Sequence, residues 1–302
     1  MPGGRWILPV ASIAAALAMA TAVARAEDDT DTPEFPTTTF ADGATSASVT
    51  VGAVTATVQL LRANPPNPDA DKVRLQVKVG ILPVAEASAP DADFDTPEAE
   101  ASIAEIDPGN RYPEVYFAAY TGGAHCCTDV IVAEQQPHGW LTVNVGEFDG
   151  GGDYLQDIDH DGLAEIVAVD NRFLYTFDCY ACSAAPLVID TVRDGKVVDV
   201  SKDPRYLPAH RDWLAELEDS VEPSGRWTSP GFLAGWVAAK VRVGEGAEAW
   251  KALKAHWDYA HDAGEETCLT GADIDACPKG QLKVMKFPDR LKLFLDQNGY
   301  GG

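Results

Sequence analysis

Positive charge is what this chain has least of. Lys and Arg number 23 against 47 Asp and Glu in 302 residues, a formal net charge of −24. Such acidity opposes nucleic acid and anionic membrane faces, which carry the same sign, and favours cations and basic partners. Enzyme signatures are also missing. The sequence contains no G-x-S-x-G, no H-E-x-x-H and no phosphate-binding Gly-Lys loop. Thr121-Gly-Gly-Ala-His125 is Gly-rich, but it lacks a Lys and a following helix, so it reads as a turn. No catalytic residue is assigned. Beyond residue 24 no run is long and apolar enough to span a bilayer.

The N-terminus carries the marks of export. Arg5 precedes an Ala-rich apolar stretch from Ile7 to Ala24, and Ala24-Arg25-Ala26 has the small-x-small form of a cleavage site before Glu27. Removing residues 1–26 takes away Arg5 and Arg25, which moves the net charge from −24 to −26. The expected location is periplasmic or secreted, with no membrane span after cleavage. Residues 27–46 are acidic and rich in Thr and Pro, and read as a disordered linker.

From residue 47 to 203 the pattern is β. Val73, Leu75, Val77 and Val79 alternate strictly, and with Ala47–Leu61 they predict a half-buried hairpin, followed by a connector from Val84 to Pro97. Strands are expected over Val115–Tyr120, Asp129–Glu134, Trp140–Val145, Arg172–Phe177, Leu187–Val192 and Lys196–Val200. Asp194-Gly195 is the residue pair of a type I′ turn between the last two. From Pro204 the apolar spacing becomes three and four. It predicts helices over Arg211–Glu218, Phe232–Val243, Ala247–Tyr259 and Leu291–Asp296, with five of the seven Trp as core. The fold class is therefore α+β: a mainly antiparallel β region, an incomplete propeller-like or sandwich assembly, then a helical segment over 204–302.

Within the β region one stretch is chemically distinctive. Asp157, Asp159 and Asp161 alternate, Gly162 follows, and Glu165 closes the set. Alternate carboxylates in a tight loop converge on one point, and Gly permits the turn, which is what a hard cation needs. The carbonyl of Leu163 stands at position seven. The loop is not an EF-hand, because position twelve is Ala168 and a short apolar strand follows rather than a helix. His160 reads as a solvent-facing spacer. With Phe148 and Gly150–Gly152 as lead-in, the segment resembles the FG-GAP (integrin-type, VCBS-like) repeat, from which it departs in having Glu165 for the last Asp and no Gly-Ala-Pro after the strand. A degenerate copy lies 51–52 residues earlier, where Asp107 and Glu114 survive and Gly109-Asn110 replaces the middle Asp. The resemblance implies structural Ca²⁺ at Asp157, Asp159, Asp161, Leu163 and Glu165. At roughly 40–50 residues per blade, the β region holds about three units, too few for a closed propeller.

Six Cys in an exported chain read as disulfides. Cys268 and Cys277 are expected to pair locally. If the Cys126-Cys127 and Cys179/Cys182 segments are both extended, each face carries one Cys of each pair, and two cross-links join them. The rivals are a redox Cys179-x-x-Cys182 site, a Cys-ligated zinc, and a Cys nucleophile beside His125. The leading expectation is an exported, calcium-stabilised, disulfide-bonded binding protein whose partner is an unknown protein or cell-envelope ligand. The alternatives are a periplasmic thiol–disulfide protein or an enzyme of unrecognised type.

Overall fold

The computed structural model describes residues 34–39, 44–61, 72–89, 98–122, 126–149, 152–222 and 225–301. Residues 1–26, read above as a leader, and Gly123, His125 and Gly150-Gly151 lie outside the described residues. The chain forms β1 (Thr37–Thr39), β2 (Ser46–Val51), β3 (Val54–Leu61), β4 (Lys72–Val79), β5 (Leu82–Ala89), β6 (Ala99–Ala104), β7 (Glu114–Tyr120), β8 (Cys126–Gln136) and β9 (Gly139–Asp149). After these come β10 (Leu155–Gln156), β11 (Glu165–Val169), β12 (Leu187–Arg193) and β13 (Lys196–Asp199). The remainder comprises α1 (Leu207–Asp219), α2 (Pro230–Arg242), α3 (Gly246–His256), β14 (Glu265–Cys268), β15 (Leu282–Met285) and α4 (Phe287–Gln297). Described sheets are antiparallel throughout, and the fold is α+β.

Three antiparallel sheets stack in sequence order. β2-β3-β4-β5 forms one, β1-β6-β7-β8-β9 the next and β10-β11-β12-β13 the third. The middle sheet is buried on both faces, which is why β7 carries almost no polar residues. Val115 and Phe117 pack with Val54, Val58, Leu75 and Val77 of the first sheet. Tyr116 and Ala118, pointing the other way, pack with Leu155, Ile166 and Val192 of the third. The first sheet shields one face only, so Val alternates with Thr and Gln along β3, and its polar side pairs across strands, as in Thr57–Ser48 at 2.9 Å. Asp194 and Gly195 both take positive φ, 52° and 74°, and close β12 onto β13 as the type I′ pair predicts.

Four expectations are corrected here. Residues 27–46 are not wholly a disordered linker: Thr37–Thr39 is an edge strand on β6, held by Thr37 against Ser102 at 2.7 Å, and β2 begins at Ser46. The first unit is a four-stranded meander rather than a hairpin, and β5 occupies much of the stretch read as a connector. Arg172–Phe177 is not a strand. Asp170 caps a 3-10 turn over Asn171–Phe173 by accepting from the Arg172 N–H, and Tyr175 sits at a φ of 62°, which breaks any extended run. The cysteines pair within their segments: Cys126 with Cys127 across a cis peptide, and Cys179 with Cys182. Tyr180–Cys182 is a 3-10 turn, not a strand, so the two thiols meet on one side with Cα atoms 5.0 Å apart. Cys268 pairs with Cys277 as expected, clasping the chain between β14 and β15.

Helix α2 is the centre of the last layer. It starts at Ser229, whose Oγ accepts the Phe232 N–H, and runs through Pro230 in the first turn. Residues Gly231 to Ala239 are all buried, with α1, α3 and α4 packed around them. The five Trp of this region, Trp213, Trp227, Trp236, Trp250 and Trp257, all join its core. That core is shared with residues ahead of Pro204: Phe173, Phe177, Ala184 and Ala185 belong to it, and Trp213 Nε1 donates to the Ala185 carbonyl at 2.9 Å. The apolar core of the segment 204–302 is thus completed by residues that precede it.

Candidate functional site

The acid loop joins the first two strands of the third sheet, between β10 and β11. Residues that bend it do so through their own carboxylates. Asp157 accepts from the N–H groups of Asp161 and Gly162, both at 2.9 Å. Asp161 accepts from Leu163 at 2.8 Å. His160 and Gly162 take positive φ, 59° and 90°, so the Gly of the pattern is required by the turn.

Three of the predicted ligands converge. Asp157, Asp159 and Glu165 each present a carboxylate oxygen, all within 4.8 Å of one another. Asp161 stands apart: it is exposed, and its Oδ2 lies 3.3 Å from Arg205 Nη1. Leu163 contributes an N–H to Asp161. His160 is exposed, as a spacer should be, although it lies with Asp157 and Glu34 in a second acidic cluster at the loop's outer edge.

Glu165 is the anchor of the site. It is 3% exposed at the start of β11, accepts from Ile158 N at 3.3 Å and from Tyr206 Oη at 3.0 Å, and among the described residues no cation pairs with it. Burial, with repulsion from Asp159 and Asp161, pushes its pKa up to about 7 against those two hydrogen bonds. A divalent ion at the convergence point would supply the missing positive charge. An all-oxygen, acid-rich donor set of this kind fits a hard cation such as Ca²⁺ and offers nothing to a soft one.

The degenerate copy has the same frame. Between β6 and β7, Glu114 starts the strand, is fully buried, and accepts from Ile106 N at 2.7 Å, as Glu165 accepts from Ile158. Here Asn110 Nδ2 donates to Glu114 Oε1 at 2.5 Å, in place of the Tyr206 hydroxyl. Burial raises Glu114 to about 7 as well, against its hydrogen bonds from Asn110, Asp107 and Ile106. Ala164 N donates to Glu105 O at 2.7 Å and ties the two loops together. Only Asp107 and Glu114 remain of the acid set here, and the Asn110 amide takes one oxygen of Glu114.

Sequence reasoning missed Arg205, Tyr206 and Glu34. Arg205 lies 3.3 Å from Asp161 and 3.8 Å from Asp159, and Glu34 accepts from Asp157 N at 3.2 Å. All three are remote in sequence, and no spacing rule points to them.

Fold and site define an α+β protein of stacked antiparallel sheets with one open acidic loop and a helical layer. Residues 210–299 match the family described as the sll0997 C-terminal domain. The chain is 40% identical over 208 residues to the probable thylakoid lumen protein sll0997 of Synechocystis sp. (strain ATCC 27184 / PCC 6803 / Kazusa), covering 68% of this chain and 61% of that protein. It is 32% identical over 214 residues to the uncharacterized protein y4bJ of Sinorhizobium fredii (strain NBRC 101917 / NGR234), covering 69% and 33% respectively. The chain thus spans less than two thirds of the length of either relative. No solved structure matches.

Proposed function

We propose that this chain is an exported, disulfide-bonded binding protein in which an FG-GAP-like loop holds Ca²⁺ as a structural ion. The observation that carries the ion is the convergence of Asp157, Asp159 and Glu165 within 4.8 Å, one of them buried with no counter-charge among the described residues. Export is supported by the leader pattern of residues 1–26, by the three disulfides and by the lumenal name of the Synechocystis relative. Its partner is a protein or a cell-envelope ligand. Calorimetric melting with Ca²⁺ and with chelator tests the ion. Extracytoplasmic sites bind with Kd on the order of 10⁻⁴–10⁻³ M. At ~10 mM Ca²⁺ such a site stabilises by about 1.4–2.7 kcal/mol, a Tm rise of a few degrees. Asp159→Ala abolishes that rise. Identical wild-type melting curves in the two conditions would sink the reading.

A second reading, thiol–disulfide exchange, is favoured by one observation: Cys179 is exposed and bonded to Cys182 in a C-x-x-C turn. Titration of the native protein under a graded thiol buffer separates the two. Exchange requires this pair to reduce well before Cys268–Cys277, whereas a structural role requires it to resist.

A further inference from the structure

A cleft of about 440 Å³ opens where the turn after β13, the end of α2 and the residues after α4 meet. Its walls include Lys202, His210, Arg242 and Tyr300, with Leu207 and Val243 as apolar surface. We infer that this cleft binds a small organic anion, a phosphate or carboxylate head on an apolar body, with Arg242 and Lys202 as its charge partners.

The first reason is charge. In a chain with twice as many acids as bases, two cations line one cleft, and among the described residues neither lies within ion-pair distance of a carboxylate. Of the nearby acids, Asp199 acts on both cations through space without pairing with either, and the others are held by other groups. Asp203, the one acid of the lining, accepts from Arg205 N and Arg205 Nε, both at 3.1 Å. Asp199 accepts from Ser201 N at 2.9 Å. Asp170 is taken by Arg172 and by the Tyr300 hydroxyl at 2.8 Å. The cleft is therefore a positive spot in a negative field, the arrangement that concentrates an anion.

The second reason is the state of Arg242. Its guanidinium lies 4.6 Å over the Tyr300 ring, and Nη2 reaches the Tyr300 hydroxyl at 3.4 Å. Its Nε is buried with no hydrogen-bond partner. A guanidinium held in place by stacking at the cleft wall is suited to meet an oxyanion through its outer nitrogens. Lys202 lines the same cleft, with Nζ 4.0 Å from where a Cβ on Gly299 would sit. His210 is no competitor, because its Nε2 is bonded to the Ser201 carbonyl at 2.8 Å. The third reason is shape: a few polar groups on an apolar wall of this volume suit an organic molecule better than a bare ion.

Isothermal titration of the full chain with phenyl phosphate, in chelator so that the acid loop plays no part, tests this. The expected result is saturable binding, at least tenfold weaker in Arg242→Gln, several-fold weaker in Lys202→Met and weaker again at high salt. Inorganic phosphate should bind more weakly than phenyl phosphate. No saturable binding, or binding unchanged in Lys202→Met, overturns the proposal. Lys202 is exposed, so its variant folds and stays decisive even if Arg242→Gln does not. Inorganic phosphate binding as tightly as phenyl phosphate overturns the organic-anion assignment.

Discussion

The Tyr206 hydroxyl donates to Glu165 Oε1 at 3.0 Å, across 41 residues of sequence and from one layer of the fold to the next. Among the described residues it is the one side-chain donor on a buried carboxylate that otherwise accepts only from the Ile158 N–H. Tyr206→Phe removes the hydroxyl while keeping the ring that packs with Val167 and Ile189. A loss of roughly 1–3 kcal/mol is expected in denaturant unfolding, since a buried acceptor is left short of a donor. Saturating Ca²⁺ should restore part of it. A variant as stable as wild type in chelator would remove this bond from the account.

The ion-free protein should lose stability as pH rises. The pKa of Glu165, pushed by burial from 4.5 to about 7, lies above its unfolded value, so folding favours the protonated form. That contribution is complete below pH 4.5 and is lost as pH climbs through about 7; Glu114 behaves alike. Melting in chelator at intervals from pH 4.5 to 8 should show the decline. Ca²⁺ should flatten the Glu165 portion and Glu114→Gln the other. Equal slopes with and without Ca²⁺ would mean the ion does not act through Glu165.

Gly235→Ala should be strongly destabilising although Ala is the better helix former by about 0.5–1 kcal/mol. A Cβ there would fall 2.2 Å from the backbone C and O of Ala184, and backbone cannot step aside as a side-chain tip can. A net loss of about 3 kcal/mol or more is expected in thermal unfolding. Near-neutral behaviour would mean that α2 does not sit so close to the Ala184–Ala185 segment.

Cys268–Cys277 closes a nine-residue separation around the β14–β15 hairpin. Cys268→Ala with Cys277→Ala should cost about 2–3 kcal/mol. Peptide mapping of the unreduced protein should recover Cys179 and Cys182 in one bonded peptide. A peptide joining Cys126 or Cys127 to either of them would reinstate the cross-linked arrangement.

What could be read from the sequence was whatever repeats at a fixed period. Val73, Leu75 and Val77 announced one buried face, and Trp250 and Leu253 a helical stripe, because burial imposes period 2 or 3.6 on neighbours in the chain. The acid loop was legible for the same local reason: Asp157 and Asp159 lie two apart and Glu165 six further on. Tyr206 and Arg205 were not, because a partner brought in by tertiary packing leaves no spacing behind. The cysteine pairing failed on one local point: three residues in a 3-10 turn bring thiols together that an extended strand would set on opposite faces. The β14–β15 hairpin escaped because most of its side chains face solvent, and the anion cleft because its lysine and arginine lie 40 residues apart in sequence.

The core of the helical layer takes Phe173, Phe177, Ala184 and Ala185 from a stretch that precedes the family match at residue 210. Excising residues 210–299 would strip Leu233, Val237 and Leu291 of those neighbours and cut α1 in its first turn. The stretch that the family match covers is therefore narrower than the core it contributes to. Any shortened version meant to stay folded has to begin upstream of the Asp170 turn.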